Sequence, residues 1–100
     1  MSSNNWWLYE QLLGIAGVTL EKGSVPLIIA NYNGRSYRIY TPTPDEYIVS
    51  IDIVDKVRGL GGNVISYASW SEVSSEARKH ANGSGVEILP HGALFARFGK

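Results

Sequence analysis

The chain has 100 residues, of which 44% are hydrophobic and 18% are charged, and it contains no cysteine. A chain of this length and composition is expected to fold as a single domain over residues 1–100, and its apolar content excludes a disordered protein. The absence of cysteine excludes disulfides and thiolate chemistry. Nine basic and nine acidic residues give a net charge of zero, so the chain lacks the basic excess of dedicated nucleic-acid binders.

The amino-terminal region predicts a helix that is capped by Asn4 or Asn5, runs through residues 6–13 and is expected to stop at Gly17. Apolar residues at helical spacing are expected to face the core: Trp6, Tyr9, Leu13 and Ala16, with Trp7 off this stripe. Residues 1–6 lack the basic start and apolar run of a signal peptide, and no apolar stretch approaches the ~18 residues of a membrane span. We therefore expect a cytoplasmic protein with no membrane partner.

Two strand-like runs, residues 25–32 and 35–40, flank the dipeptide Asn33-Gly34. Asn-Gly favours a two-residue hairpin turn because both central positions need a positive φ. The predicted cross-strand pairs on one face are Tyr32 with Arg35, Ala30 with Tyr37, and Ile28 with Ile39. A short strand over residues 18–21 is expected before the hairpin.

The central region predicts a second helix. Thr43, Pro44 and Glu46 have the spacing of a capping box, with proline at the first helical position. Apolar residues at helical spacing continue to Val57, and the glycines at 59, 61 and 62 are expected to end the helix.

The last third of the chain predicts a strand, a helix, a strand and a short final helix or turn. The strands are residues 63–68 and 86–89, and the helix between them is expected to be capped by Ser69 or Ser71 and to end at Asn82-Gly83. This spacing favours a right-handed parallel crossover. The predicted fold is a mixed α/β domain with helices packed on a sheet of four or five strands.

This order of elements resembles the αβββαβ core of the restriction-endonuclease-like, or PD-(D/E)XK, superfamily. In that family an acid on the second core strand and an acid-x-lysine motif on the third hold Mg²⁺ and orient water. Here residues 25–32 contain no acid, and Ser36-Tyr37-Arg38 stands where the motif would lie. Pro44-Asp45 belongs to the capping box. The resemblance therefore implies a degenerate, non-catalytic domain that acts on nucleic acid or on a nucleic-acid-processing partner.

Basic and aromatic residues form the first candidate interface, for nucleic acid or a protein partner. Its members are Tyr32 and Arg35 at the hairpin tip, Arg38 and Tyr40 on the less apolar hairpin face, and Arg78 and Lys79 near the end of the third helix. Aromatic rings interleaved with arginine stack on bases or form interface hot spots. The alternatives are ordinary sheet packing for the hairpin residues and a favourable interaction with the helix dipole for the basic residues and His80.

A second candidate site follows the two predicted parallel strands. In open α/β sheets, ligands bind beyond the carboxyl ends of the strands. If the strands are neighbours, one edge collects Ser69, Trp70, Ser71, His91 and Gly92, and a helix starting near Ser71 would point free N–H groups at an anion. The alternative is that the serines are only helix caps, Trp70 is a core residue and His91 is a turn residue.

No catalytic motif accompanies these candidates. The chain has no nucleophile elbow and no phosphate-binding loop, and Asp52 and Asp55 lack a third ligand for a metal ion. We therefore expect a binding module without a cofactor or metal. The absence of a catalytic motif favours a non-enzyme over an enzyme. The alternative functions are a protein-interaction or regulatory domain, and a small phosphate- or anion-binding domain at the Ser69, Ser71 and His91 edge.

Overall fold

The computed structural model describes residues 3–21 and 26–99, with side chains described from Trp6 onward. The helices are α1 (Ser3–Leu13), α2 (Ile51–Gly59), α3 (Ser75–Ser84) and α4 (His91–Arg97). The strands are β1 (Thr19–Glu21), β2 (Ile28–Tyr32), β3 (Arg35–Tyr40), β4 (Ile48–Val49), β5 (Val64–Tyr67), β6 (Glu72–Val73) and β7 (Glu87–Pro90). A single 3₁₀ turn occupies Pro44–Glu46.

Five strands form one mixed sheet in the order β1-β2-β3-β5-β7. The pairs β1–β2 and β2–β3 are antiparallel, whereas β3–β5 and β5–β7 are parallel and are connected through α2 and α3. A second, two-stranded parallel sheet joins β4 to β6. This architecture confirms the predicted mixed α/β fold with helices on a sheet of up to five strands.

The sheet separates two hydrophobic clusters, because neighbouring residues of a strand point to opposite faces. Ile39 and Val64 belong to the cluster that contains Leu8 of α1 and Leu94 of α4. The next residues of the same strands, Tyr40 and Ile65, belong to the other cluster. Residues of α2 and α3 complete that cluster: Val54, Val57, Ala77 and Ala81. The domain is therefore a three-layer sandwich, with α1 and α4 on one face of the sheet and α2 and α3 on the other.

The hairpin matches the prediction in position and register. Asn33 has a φ of 52° and Gly34 has a φ of 76°, which are the positive values that a two-residue turn requires. The strand pairs are Tyr32 with Arg35, Ala30 with Tyr37, and Ile28 with Ile39. The short strand predicted before it is confirmed as β1.

The first helix differs from the prediction in its cap and in its buried face. It begins at Ser3, so Asn4 and Asn5 lie inside it and do not precede it. Its buried residues are Leu8 and Leu12, with Ile15 following, whereas Trp6 and Leu13 are exposed. Of the predicted stripe, Tyr9 packs against the core, whereas Trp6, Leu13 and Ala16 are exposed. The buried face is turned to Leu8 and Leu12, which lie four residues apart and so on one side of the helix.

The second predicted helix is divided into two elements. The capping box is present, and the Thr43 backbone N–H donates to the Glu46 carboxylate at 3.1 Å, but it begins only one 3₁₀ turn. Ile48 and Val49 then form β4, and α2 starts after Ser50. The same carboxylate accepts hydrogen bonds from Tyr40 at 2.5 Å and Lys56 at 2.9 Å. These contacts hold Glu46 against the sheet and α2, so the prediction of one continuous helix was wrong.

The third helix begins and ends later than predicted. Its cap is Ser74, whose hydroxyl accepts from the Ala77 backbone N–H at 3.1 Å, so neither Ser69 nor Ser71 is a helix cap. The helix continues through Asn82-Gly83 and ends at Ser84, followed by the C-cap residue Gly85, which has a φ of 75°. Because the last turn contains no basic residue, the predicted dipole interaction of Arg78, Lys79 and His80 was wrong.

Candidate ligand cleft

A cleft of about 470 Å³ opens at the carboxyl ends of β5 and β7. Its lining residues are Trp7 of α1, Tyr67 at the end of β5, Ala68, Ser69 and Trp70 in the following turn, Pro90 at the end of β7, and His91 and Gly92 at the start of α4. The register of the parallel pair explains this convergence, because Tyr67 lies opposite Pro90. The residues after both strands therefore meet at one edge, as expected for ligand sites of open α/β sheets.

Two tryptophan rings give the cleft its aromatic walls. Trp7 is 46% exposed and Trp70 is 43% exposed, so each presents a large apolar surface to solvent inside a concavity. Trp7 also contacts the residues of α4, with its ring centroid 5.3 Å from that of His91 and 6.1 Å from that of Phe95. These contacts position α1 against α4 and bring a residue from the start of the chain to the site.

His91 is held by a buried hydroxyl group. Its Nδ1 and the Oγ of Ser66 share a hydrogen bond of 2.5 Å, and Ser66 is 0% exposed. Burial lowers the pKa of His91 from its ordinary value, so the imidazole is neutral at pH 7. A neutral imidazole with Nδ1 engaged has one ring nitrogen left for a ligand.

Ser66 is not a nucleophile for this site. Its side chain lies on the α1 and α4 face of the sheet beneath His91, fully buried, and it does not line the cleft. The pair therefore orients the imidazole and does not form a serine–histidine catalytic arrangement, which requires an accessible hydroxyl.

A cation lies beside the cleft on the opposite face of the sheet. Tyr67 follows Ser66 on β5 and so points toward α3, where its hydroxyl accepts a hydrogen bond from the Arg78 guanidinium at 3.2 Å. Arg78 also lines a smaller hollow of about 110 Å³ between α3 and β7, together with Asn82. Tyr67 of the cleft is therefore hydrogen-bonded to a residue of this hollow.

The structure brings together four of the five residues predicted at the anion-binding edge, and anion binding there stays a prediction. Ser69, Trp70, His91 and Gly92 lie together in the cleft. Ser71 does not line it, and its hydroxyl is buried without a hydrogen-bond partner among the described residues. Because α3 begins at Ser75, the helix expected to start near Ser71 is absent, and its N–H groups do not serve this edge. His91 is the first residue of α4, not a turn residue, because β7 passes directly into that helix.

The residues predicted as a basic and aromatic interface do not form one surface. Tyr40 is 2% exposed and its hydroxyl bonds to Glu46, so it belongs to the core. Tyr32 packs on Phe98 at 5.3 Å. Arg35 pairs with Glu87 at 3.4 Å and lies over the Tyr37 ring, and the Arg38 Nε donates to the Gly61 carbonyl. Arg78 and Lys79 are on α3, and of this set only Arg78 contacts a residue of the cleft.

The sequence prediction missed several residues of the site. Tyr67 and Pro90 are the last residues of the two parallel strands, so the strand-end rule that selected Ser69 and His91 also applied to them. Trp7 carried a weaker signal, its position outside the predicted stripe. Ser66 carried none, because a serine inside an apolar strand becomes informative only when its partner is known.

Within residues 3–21 and 26–99, no group of three His, Asp or Glu side chains is arranged to hold a metal ion. Asp55 instead bonds His80 at 2.6 Å across α2 and α3. Of the helices in this described part of the chain, none is both long and apolar enough to cross a membrane. No protein-family model, no curated protein and no solved structure matches this chain.

Proposed function

We propose that this domain is a non-catalytic binding module whose cleft takes a flat aromatic group of its ligand. The observation that carries the proposal is the pair of half-exposed tryptophans, Trp7 and Trp70, in one concavity with His91. Exposed aromatic surface in a preformed cleft is the usual setting for ring stacking, which contributes about 1–3 kcal/mol for each stacked base.

The polar groups of the cleft suit recognition better than catalysis. His91 offers a single ring nitrogen, and Ser69 and Tyr67 are the hydroxyl residues of the lining. No acidic residue is among the described residues that line the cleft, so the imidazole has no carboxylate partner of the kind that general acid–base pairs use. A neutral imidazole can instead form a hydrogen bond with the edge of an uncharged ring.

A nucleobase is the flat group that we favour, because it combines a stacking face with a hydrogen-bonding edge. This choice retains one role that the resemblance to nucleases implies, a degenerate, non-catalytic domain that binds nucleic acid. The zero net charge favours a single unstacked base over duplex DNA, since duplex binding depends on many phosphate contacts. An aromatic side chain of a protein partner is the second candidate, and the exposed tryptophans are the observation that supports it.

The test is an amide-resolved NMR titration with two uncharged probes, adenosine and N-acetyltyrosinamide. We expect adenosine to shift the resonances of Trp70, Tyr67 and His91, and to do so equally at low and moderate salt. Shifts at these residues with N-acetyltyrosinamide alone would favour a protein partner. If neither probe shifts them at millimolar concentration, the proposal is wrong.

Two tryptophan variants make this test specific. Trp70→Ala removes one wall of the cleft and is expected to weaken adenosine binding about tenfold or more, because a stacked ring is lost. Trp6→Ala is the matched control, since Trp6 is 54% exposed, stacks on Tyr9 at 6.1 Å and does not line the cleft. Equal effects of the two substitutions would indicate nonspecific contact with exposed tryptophan and would contradict the proposal.

A further inference from the structure

The hollow between α3 and β7 is joined to the proposed aromatic site by the hydrogen bond between Arg78 and Tyr67, and this connection points to a more specific ligand. Tyr67 lines the cleft, and its hydroxyl accepts from Arg78, which lines the hollow. A ligand that stacks in the cleft and contacts the Tyr67 ring therefore comes near the Arg78 guanidinium group, which is hydrogen-bonded to the hydroxyl at the end of that ring.

Arg78 is available to an anionic group of a ligand. Within residues 3–21 and 26–99, the Glu87 carboxylate is shared by Arg35 and Arg97, and Lys56 pairs with Glu46. Arg78 has no carboxylate partner in this described part of the chain and is exposed, with the Tyr67 hydroxyl as its hydrogen-bond partner. One guanidinium bond to the hydroxyl fixes the direction of the side chain and leaves other N–H groups of the fork for an anion.

The hollow has the size and the second polar group that a phosphate contact requires. Its volume of about 110 Å³ corresponds to three or four water molecules at about 30 Å³ each. Asn82 lies one turn after Arg78 on α3 and also lines the hollow, so its amide faces the same side. Arginine matches the geometry of phosphate oxygens in a bidentate manner.

We propose that Arg78 and Asn82 form a phosphate subsite, and that the ligand is a nucleotide unit with its base in the aromatic cleft and its phosphate in the hollow. This inference rests on the proposed function for the base and adds a separate contact for the phosphate. Two sources present the same chemistry: a free mononucleotide, and the terminal nucleotide of a single strand.

The experiment compares adenosine with adenosine 5′-monophosphate, using calorimetry and the arginine side-chain resonances. We expect the monophosphate to bind about tenfold more tightly, since hydrogen bonds to a charged group are stronger than neutral ones. This advantage should decline with salt, while adenosine binding stays constant. Equal affinities of the two ligands at low salt would overturn the phosphate subsite.

Arg78→Gln is the decisive variant, and Lys79→Gln is its matched control. Both residues are exposed on α3, they carry the same charge, and only Arg78 lines the hollow. We expect Arg78→Gln to reduce monophosphate affinity to the level of adenosine without changing adenosine affinity, and Lys79→Gln to change neither by more than about twofold. Equal losses in both variants would show a diffuse charge effect and would overturn the inference.

The design separates failure of the two proposals. If adenosine does not bind but the monophosphate shifts the resonances of Arg78 and Asn82, the aromatic site fails and the phosphate subsite stands. If adenosine binds and the monophosphate gains nothing, only the subsite fails. A 5′-phosphorylated tetranucleotide then identifies the source: tighter binding than the mononucleotide indicates a strand terminus, and equal binding indicates a free nucleotide.

Discussion

Replacing Ser66 with alanine removes a hydroxyl group that is 2.5 Å from the Nδ1 atom of His91. Ser66 is 0% exposed, so water does not reach its position to replace the lost contact. A typical hydrogen bond stabilises a protein by about 0.5–1.5 kcal/mol, and a buried group left without its partner costs about 1–3 kcal/mol. Because His91 is only half-buried, we expect Ser66→Ala to reduce the free energy of unfolding by about 1–2 kcal/mol.

Urea denaturation at pH 7.5 measures this loss, and a double-mutant cycle assigns it to the pair. His91→Phe keeps a flat ring and removes both nitrogens. We expect the double variant Ser66→Ala/His91→Phe to lose about 1 kcal/mol less free energy of unfolding than the two single variants lose in sum, because neither polar group is then left without its partner. Ser75→Ala is the control, since Ser75 is exposed and its replacement should change stability by less than about 0.5 kcal/mol.

The ¹⁵N chemical shifts of the His91 ring provide a readout that stability alone does not. In the native protein they should report one dominant tautomer, and in Ser66→Ala they should move toward a mixture. A loss below about 0.3 kcal/mol, with additive single variants and unchanged ring shifts, would refute the conclusion that Ser66 orients the imidazole.

Three further predictions concern packing and pH. In Gly62→Ala the new Cβ would lie 2.6 Å from Val57 Cγ1 and 3.2 Å from the Val57 carbonyl oxygen. We therefore expect the free energy of unfolding, measured by heat or urea, to fall by about 1–3 kcal/mol. In Gly83→Ala, within α3, the new Cβ meets no atom within 4 Å, and the free energy of unfolding should rise by up to about 1 kcal/mol. Burial raises the pKa of Glu46, but hydrogen bonds from Tyr40, Lys56 and Thr43 outweigh it, and the net pKa is lowered; its stabilisation is therefore present above the unfolded pKa of about 4.3 and declines as pH falls through the folded value, a decline that Glu46→Gln should reduce. Burial lowers the pKa of His91, so the unfolded chain binds a proton at a higher pH than the folded protein does. The free energy of unfolding should therefore decline as pH falls below about 6.5. His91→Phe should flatten this decline, and an unchanged pH profile would contradict the burial argument.

The parts of the fold that could be predicted are those whose signals are local. Asn33-Gly34 determines its own turn, and the alternation of apolar residues on either side then sets the register. The strands predicted over residues 63–68 and 86–89 are similarly local, and the residues after them were expected at one edge on the condition that the two strands are neighbours. The pairing of β5 with β7 meets that condition and brings Ser69, Trp70, His91 and Gly92 together.

The remaining features depend on contacts between distant parts of the chain. The capping box of Thr43 and Glu46 begins a single turn instead of a long helix because Tyr40 and Lys56 bind the Glu46 carboxylate. β4 and β6 are two residues each, and each exists only as the partner of the other, so neither has a periodic pattern to detect. Trp7 reaches the cleft because α1 packs on α4, and this packing cannot be inferred from either helix alone.

The direct passage from β7 into α4 affects how the cleft responds to an occupant. Pro90 is the last residue of the strand and His91 is the first residue of the helix, so no loop separates the imidazole from the sheet. Trp70 instead lies in the turn between β5 and β6, where the Ser71 N–H donates to the Ala68 carbonyl at 2.9 Å. His91 is thus attached directly to the sheet, whereas Trp70 lies on a surface turn. An occupant would therefore lose little entropy in ordering His91, and most of the entropy cost would come from ordering Trp70.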